Sequence, residues 1–291
     1  MPCYYPVEVY DNERNPRYRP CGMCVGCRLD YARSWAIRCV HESDLYEENS
    51  FVTLTYNNDN LPSDGSIHKP DLQKFIKRLR RRLEPRKIRY FACGEYGVNF
   101  GRPHYHVCVF NYDFPDKEVF QAGSLGNVSS RGFKLQARSR IDNTIYTSKF
   151  LSKVWNKGFH TIGNLTFESA GYVARYVVKK INGRMANDHY GDKIAEFALM
   201  SRMPGIGQDW IRKYLTDVYP KDFLTINGIK MQPPLYYDSQ LLKLRPEVHE
   251  SVKQRRKENS VQVGKIRRRL YEKDKYRELV TKTLRRELDE N

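Results

Sequence analysis

"RPHYHVCVF", residues 102–110, is the stretch on which the fold turns. Side chains of an extended strand repeat every two residues, so His104 and His106 share one face with Cα atoms about 7 Å apart. That spacing lets two imidazoles share one cation. "KIRYFACGEYG" (87–97) is equally strand-like, and only "GVNFG" (97–101) separates the two runs, which predicts neighbouring antiparallel strands. Such pairing can set the Glu95 carboxylate beside the histidines. Two imidazoles and a carboxylate, with coordination positions left open, suit Mg²⁺ or Mn²⁺ handling a phosphate. The ordinary alternative for Glu95 is a solvated charge at a turn.

Outward from this hairpin, "FVTLTY" (51–56) is β-branched and aromatic and runs into the turn-rich "NNDNLPSDGS", the pattern of another strand. A helix follows, with Pro70 near its start, Leu72, Phe75, Ile76, Leu79 and Leu83 at helical spacing, and Pro85 past its end. Upstream, "CRLDYARSWAIRCVHESDLY" carries Leu29, Ala32, Trp35, Ala36, Cys39 and Val40 on an amphipathic helix. Residues 114–165 mix short apolar runs with Gly, Ser and Asn and yield no firm elements. In "GYVARYVVKK" (171–180), at 100° per residue, Ala170, Val173, Ala174, Val177, Val178 and Ile181 form one stripe. Tyr172 and Tyr176 fall roughly opposite it. Thr166 can cap this helix and Asn182–Gly183 can end it. "EFALMSR" (196–202) reads as a further strand, "MPGIG" as a turn and "QDWIRKYL" as a short helix.

The expected class is α+β: a central antiparallel sheet with flanking helices, an N-terminal cysteine-rich knuckle and a basic helical C-terminal tail. Residues 1–45 hold the knuckle and first helix, 46–215 the core, and 216–291 a connecting segment and the tail. At 291 residues the chain can bury a substantial core, and 51 basic against 34 acidic residues give a net charge of +17. A polyanion is the expected partner. No apolar run approaches a membrane span and the start lacks a signal peptide's apolar core, so no membrane role and a cytoplasmic location are expected. Seven cysteines, three of them in "CGMCVGC", fit a metal better than a disulfide framework. Cys21, Cys24 and Cys27, with Cys3 as fourth ligand, are the candidate structural Zn²⁺ site, Gly22 and Gly26 permitting the tight reversal.

"FVTLTY", "RPHYHVCVF" and "GYVARYVVKK", in that order, resemble the three motifs of rolling-circle replication initiators of the HUH endonuclease superfamily, whose catalytic sheet is RRM-like or palm-like. Tyr105 stands where that motif has its bulky residue. "PCGMCVGCRLDYARSWAIRC" and "MSRMPGIG" narrow the resemblance to initiators of small single-stranded DNA bacteriophages, the Microviridae, and within them the gokushovirus group. The resemblance implies a sheet carrying the metal on Glu95, His104 and His106, and a helix presenting Tyr172 and Tyr176 as nucleophiles. It also implies nicking and joining of single-stranded origin DNA through a 5′-phosphotyrosyl link, in the cytoplasm of a bacterial host.

Physical chemistry is compatible with those roles. A phenol of pKa about 10 is a poor nucleophile at neutral pH, and Lys179 and Lys180 can lower that pKa or stabilise charge on the transferring phosphate. Relaxases carry the nucleophilic tyrosine ahead of the histidine pair, whereas here both tyrosines follow it. No "GxxxxGK[ST]" loop is present, so a host helicase would unwind the duplex for a host polymerase. Lys77, Arg78, Arg81, Arg82, Arg86 and Lys87 are candidate phosphate contacts, or else a solvated helix face. The tail's charge can bind DNA, or its thin apolar stripe can hold a partner or a second copy. The competing classes are a non-catalytic single-strand binder, which accounts for the charge but not for the grouping of Glu95, His104 and His106, a structural zinc-bearing DNA packaging or scaffold protein, supported only by the cysteine cluster and the tail, and, within the resembled superfamily, a relaxase- or transposase-type nuclease.

Overall fold

The structure, a computed structural model, describes residues 3–10, 14, 16–97, 101–121, 144–179, 191–258 and 267–282. Its strands are β1 (Val7–Tyr10), β2 (Pro16–Arg19), β3 (Asn49–Tyr56), β4 (Arg89–Tyr96), β5 (Pro103–Phe110), β6 (Lys117–Gln121), β7 (Ile145–Ser148), β8 (Gly158–Gly163), β9 (Phe197–Met200), β10 (Leu224–Ile226) and β11 (Ile229–Met231). The helices are α1 (Val25–Ser43), α2 (Lys69–Leu83), α3 (Lys149–Val154), α4 (Phe167–Lys179), α5 (Gln208–Lys213), α6 (Leu215–Val218), α7 (Leu235–Leu244), α8 (Pro246–Glu258) and α9 (Arg267–Lys282). Seven strands form one antiparallel sheet in the order β6-β7-β8-β3-β5-β4-β9, so the expected hairpin, β4 with β5, stands between the central β3 and the edge strand β9. Residues 114–165, unassigned from sequence, supply β6, β7, α3 and β8, which complete one side of that sheet.

Strand alternation gives the sheet two unlike faces. On one, Val52, Leu54, Tyr56, Ala92, Tyr105, Val107, Val109 and Ile162 pack under Leu72, Phe75, Ile76 and Leu79 of α2 and Leu151 and Val154 of α3. Tyrosine hydroxyls on this face are tied in: the Tyr56 hydroxyl donates to Asp71 at 2.7 Å and lies 2.7 Å from the Tyr105 hydroxyl, and the His68 N–H donates to Tyr105. Burial pushes the Tyr105 phenol up to about 12, so it stays a neutral partner.

Helices α1 and α4 cover the other face. Ala32, Trp35 and Cys39 of α1 and Ala170, Tyr172, Val173 and Ala174 of α4 close over Phe51, Phe91, Cys93, Cys108 and Phe110. Small residues let the two helices approach: a Cβ added at Gly171 would meet the Ala36 Cβ at 3.8 Å, ordinary contact. Thr166 caps α4 as expected, its Oγ1 accepting from the Ser169 N–H at 3.1 Å while Ser169 Oγ accepts from the Thr166 N–H at 2.8 Å. The expected end at Asn182–Gly183 lies outside the described residues.

The "MPGIG" turn is a clamp. The buried Glu42 carboxylate at the end of α1 binds the Arg89 guanidinium and accepts from the Gly207 N–H at 2.6 Å, while Arg89 also donates to the Pro204 carbonyl at 2.6 Å. Gly207 has φ +74°, and a Cβ there would lie 2.7 Å from the Tyr237 hydroxyl, so the turn needs glycine on both counts. Farther on, the tail folds back on the body: Val252 of α8 is buried among Ile211, Val218 and Leu241, and Arg256 bridges Asp222 and Asp238. Leu270 of α9 packs against Tyr4, Cys24 and Val25.

Candidate active site

The polar end of the face under α1 and α4 is built from one parity of three strands. Register pairs Thr53 of β3 with His106 and Thr55 with His104 on β5, and β5 in turn aligns His106 with Cys93 and His104 with Glu95 on β4. All six side chains therefore issue from the same side of the sheet. Glu95, 1% exposed, reaches diagonally to His106, its Oε1 2.6 Å from Nε2.

Each imidazole is held from behind. Thr53 Oγ1 lies 3.0 Å from His106 Nδ1, and Thr55 Oγ1 lies 3.0 Å from His104 Nδ1. A hydroxyl donates or accepts as required, so threonine fixes ring orientation whichever nitrogen carries the proton. Sequence reading took these two threonines only as β-branched strand formers. Their signal was the T-x-T spacing, which matches H-x-H across an antiparallel pair.

Gly97 completes the cradle. A Cβ built there would stand 2.7 Å from His104 Nε2, so any other residue would displace the ring. Two imidazole Nε2 atoms and a buried carboxylate, braced through the Nδ1 atoms, form a donor set that can hold a divalent cation. They do not form a closed cage. Among the described residues, the group of His, Cys, Asp or Glu whose ligand atoms all lie within 4.8 Å of one another is Cys3, Cys21, Cys24 and Cys27.

Tyr172 departs from the helical-wheel expectation. It lies 4% exposed, with its ring edge-on to His106 at a centroid distance of 5.1 Å and an interplanar angle of 85°. The wheel assumed one buried stripe, but α4 is covered by α1 on one side and by β4, β5 and β9 on another, so a second side is enclosed. Tyr176 and Lys179 follow on the same helix with their side chains outside the described residues, and Lys180 lies outside them altogether.

The sheet separates the basic residues of α2 from this site. Lys77, Arg81, Arg82 and Lys87 are exposed on the α2 side, Arg78 donates to the Val154 carbonyl at 3.0 Å, and Arg86 pairs with Glu48 at 2.5 Å. Closer to the histidines stands Phe159 of β8, paired in register with Thr55 and 67% exposed. The row across the sheet runs Phe159, Thr55, His104, Glu95. Sequence reading passed over Phe159 because it lay in the stretch without assigned elements.

Residues 49–181, from β3 through α4, match the family described as replication-associated protein ORF2/G2P. Replication-associated protein VP4 of Bdellovibrio phage phiMH2K is 34% identical over 236 residues, covering 78% of this chain and 69% of the relative. Replication-associated protein ORF2 of Spiroplasma virus 4 is 36% identical over 236 residues, covering 76% and 67%. Replication-associated protein ORF4 of Chlamydia phage 1 is 29% identical over 237 residues, covering 78% and 54%. No solved structure matches. Among the described residues, no helix is long and apolar enough to cross a membrane. The family match runs from the strand that braces the histidines to the helix that sets a tyrosine against one of them, and with relatives that share most of their length it shows that this chain belongs to the phage replication-associated proteins of Microviridae type.

Proposed function

We propose that the chain initiates and terminates rolling-circle replication by nicking and rejoining single-stranded origin DNA in the cytoplasm of the bacterial host, alongside a host helicase and polymerase. The observation that carries this reading is the meeting of Tyr172 with His106, itself in contact with Glu95, at the polar end of an otherwise apolar face. Glu95, His104 and His106 would hold Mg²⁺ or Mn²⁺, which when bound polarises a non-bridging phosphate oxygen. Thr53, Thr55 and Gly97 keep the imidazoles oriented for that task.

The exposed ring of Phe159 offers a stacking surface for a base beside the reacting phosphate. In the reaction a tyrosine hydroxyl gives up its proton and its oxygen bonds to phosphorus. The P–O bond to the 3′ oxygen breaks, and that oxygen takes up a proton as a free 3′-hydroxyl. Because the phosphodiester is exchanged rather than hydrolysed, the reverse attack rejoins DNA without ATP. Lys179 and Lys180 would supply positive charge near the phosphate. Tyr172 and Tyr176 would alternate, one holding the 5′ end while the other cuts the regenerated origin. Tyr172 is 4% exposed, so α4 must yield before its hydroxyl meets a phosphate.

The test is an origin oligonucleotide incubated with the full chain and Mg²⁺, read as a denaturation-resistant protein–DNA adduct. Tyr172→Phe and Tyr176→Phe should each retain single cleavage to different degrees and fail in repeated rounds, and the double variant should form no adduct. Origin binding with no adduct under any divalent ion would leave the non-catalytic binder as the better reading. Many rounds by Tyr172→Phe alone would make Tyr172 a packing residue.

A further inference from the structure

We infer that Cys3, Cys21, Cys24 and Cys27 bind one structural Zn²⁺ that clasps the N-terminal segment to the start of α1 and builds the seat on which α9 rests. The four Sγ atoms lie within 4.8 Å of one another, with Cys3–Cys24 and Cys21–Cys27 each at 4.0 Å. Four thiolates around one zinc, at about 2.3 Å each, stand about 3.8 Å apart. The cluster is thus close to the size of a zinc tetrahedron. A disulfide needs sulfurs about 2.05 Å apart, and all four cysteines are free.

Backbone donors point at the sulfurs. The Cys21 N–H meets Cys3 Sγ at 3.2 Å, the Cys24 N–H meets Cys21 Sγ at 3.3 Å, and the Tyr4 and Cys27 N–H groups meet Cys24 Sγ at 3.4 and 3.5 Å. Thiol sulfur is a weak acceptor, and donors converging on it suit the anionic thiolate a metal requires. Cys24 is also the N-cap of α1, whose positive dipole end favours that charge. Gly22, at φ +75°, makes the reversal between Cys21 and Cys24, whereas Gly26, expected to share that role, lies in the first turn of α1.

The ligands come from separate parts of the chain. Cys3 precedes the two-stranded β1–β2 sheet, the other three surround the start of α1, and Leu270 of α9 packs on Tyr4, Cys24 and Val25. Removing the ion should loosen both chain ends there and leave the central sheet intact. None of this depends on nicking chemistry.

Full-length protein purified without added metal should carry about one zinc per chain, and the paired variant Cys21→Ser, Cys24→Ser should lose it. Hydrogen exchange on wild-type protein before and after chelation should show lost protection in residues 3–10 and 267–282, with residues 49–56 unchanged. Less than about 0.2 zinc per chain, iron in its place, or zinc retained by the paired variant would overturn the site. Unchanged protection of residues 267–282 after zinc removal would overturn the clasp.

Discussion

The two faces of the central sheet are made by alternate residues of the same strands, and they differ in what burial demands of a polar group. Tyr105 sits between His104 and His106 in sequence but faces α2, where its hydroxyl is tied to Tyr56 and His68 within an apolar cluster. The histidines on either side of it face a layer that grades from Phe91 and Phe110 to Glu95 and two threonines. One face is closed, its core side chains packed under α2 and α3. The other is apolar where α1 and α4 cover it and polar toward the histidines, and the proposed chemistry belongs to that end. An alternating strand thus lets one short motif anchor the core and arm the site together.

Substitutions on the two faces should separate stability from chemistry. His106→Ala should abolish adduct formation while origin binding persists, because affinity comes mainly from basic surface. Leu54→Ala, one face over, should cost about 2–5 kcal/mol in urea unfolding, with adduct yield per folded molecule unchanged. Loss of chemistry in both would show that the faces are not independent. A smaller effect should come from behind the ligands: Thr53→Val keeps the shape and removes the hydroxyl, and should weaken divalent-ion dependence of cleavage about 10- to 100-fold. A wild-type titration curve would mean the His106 ring is held by packing alone.

The smallest effects should be on DNA affinity. Phe159→Ala should weaken single-strand binding by about 1–3 kcal/mol if a base stacks there, with little change in salt dependence. Arg81→Ala with Arg82→Ala, across the sheet, should instead flatten the log–log salt dependence by about 0.7 for each phosphate no longer neutralised and leave cleavage at saturating DNA unchanged. If the arginine pair alters cleavage and Phe159 alters nothing, the strand runs over the α2 face.

What sequence could and could not foretell follows from these elements. β3, β4 and β5 are eight residues each, long enough for the two-residue period to declare itself, and the facing of His104, His106 and Glu95 came with it. β6, β7 and β8 have only four to six residues, too few alternations to stand out among polar neighbours. The helical period of α2 gave its buried side but not which side of the sheet it would cover, so its arginines could not be placed relative to the histidines. Tyr172 was set opposite the core because a wheel describes one neighbour and α4 has two.

Gly97 has a consequence in heredity. Glycine becomes alanine by one nucleotide change, and the added methyl would press on the tip of the His104 ring while making only ordinary contact, at 3.5 Å, with the Arg102 carbonyl, at a position with no positive φ to strain. On the proposed reading, the mutant chain would fold, bind the origin and leave it uncut, occupying the place of working copies made in the same cell. A phage genome so altered would do more than fail: in mixed infection it would interfere with its siblings.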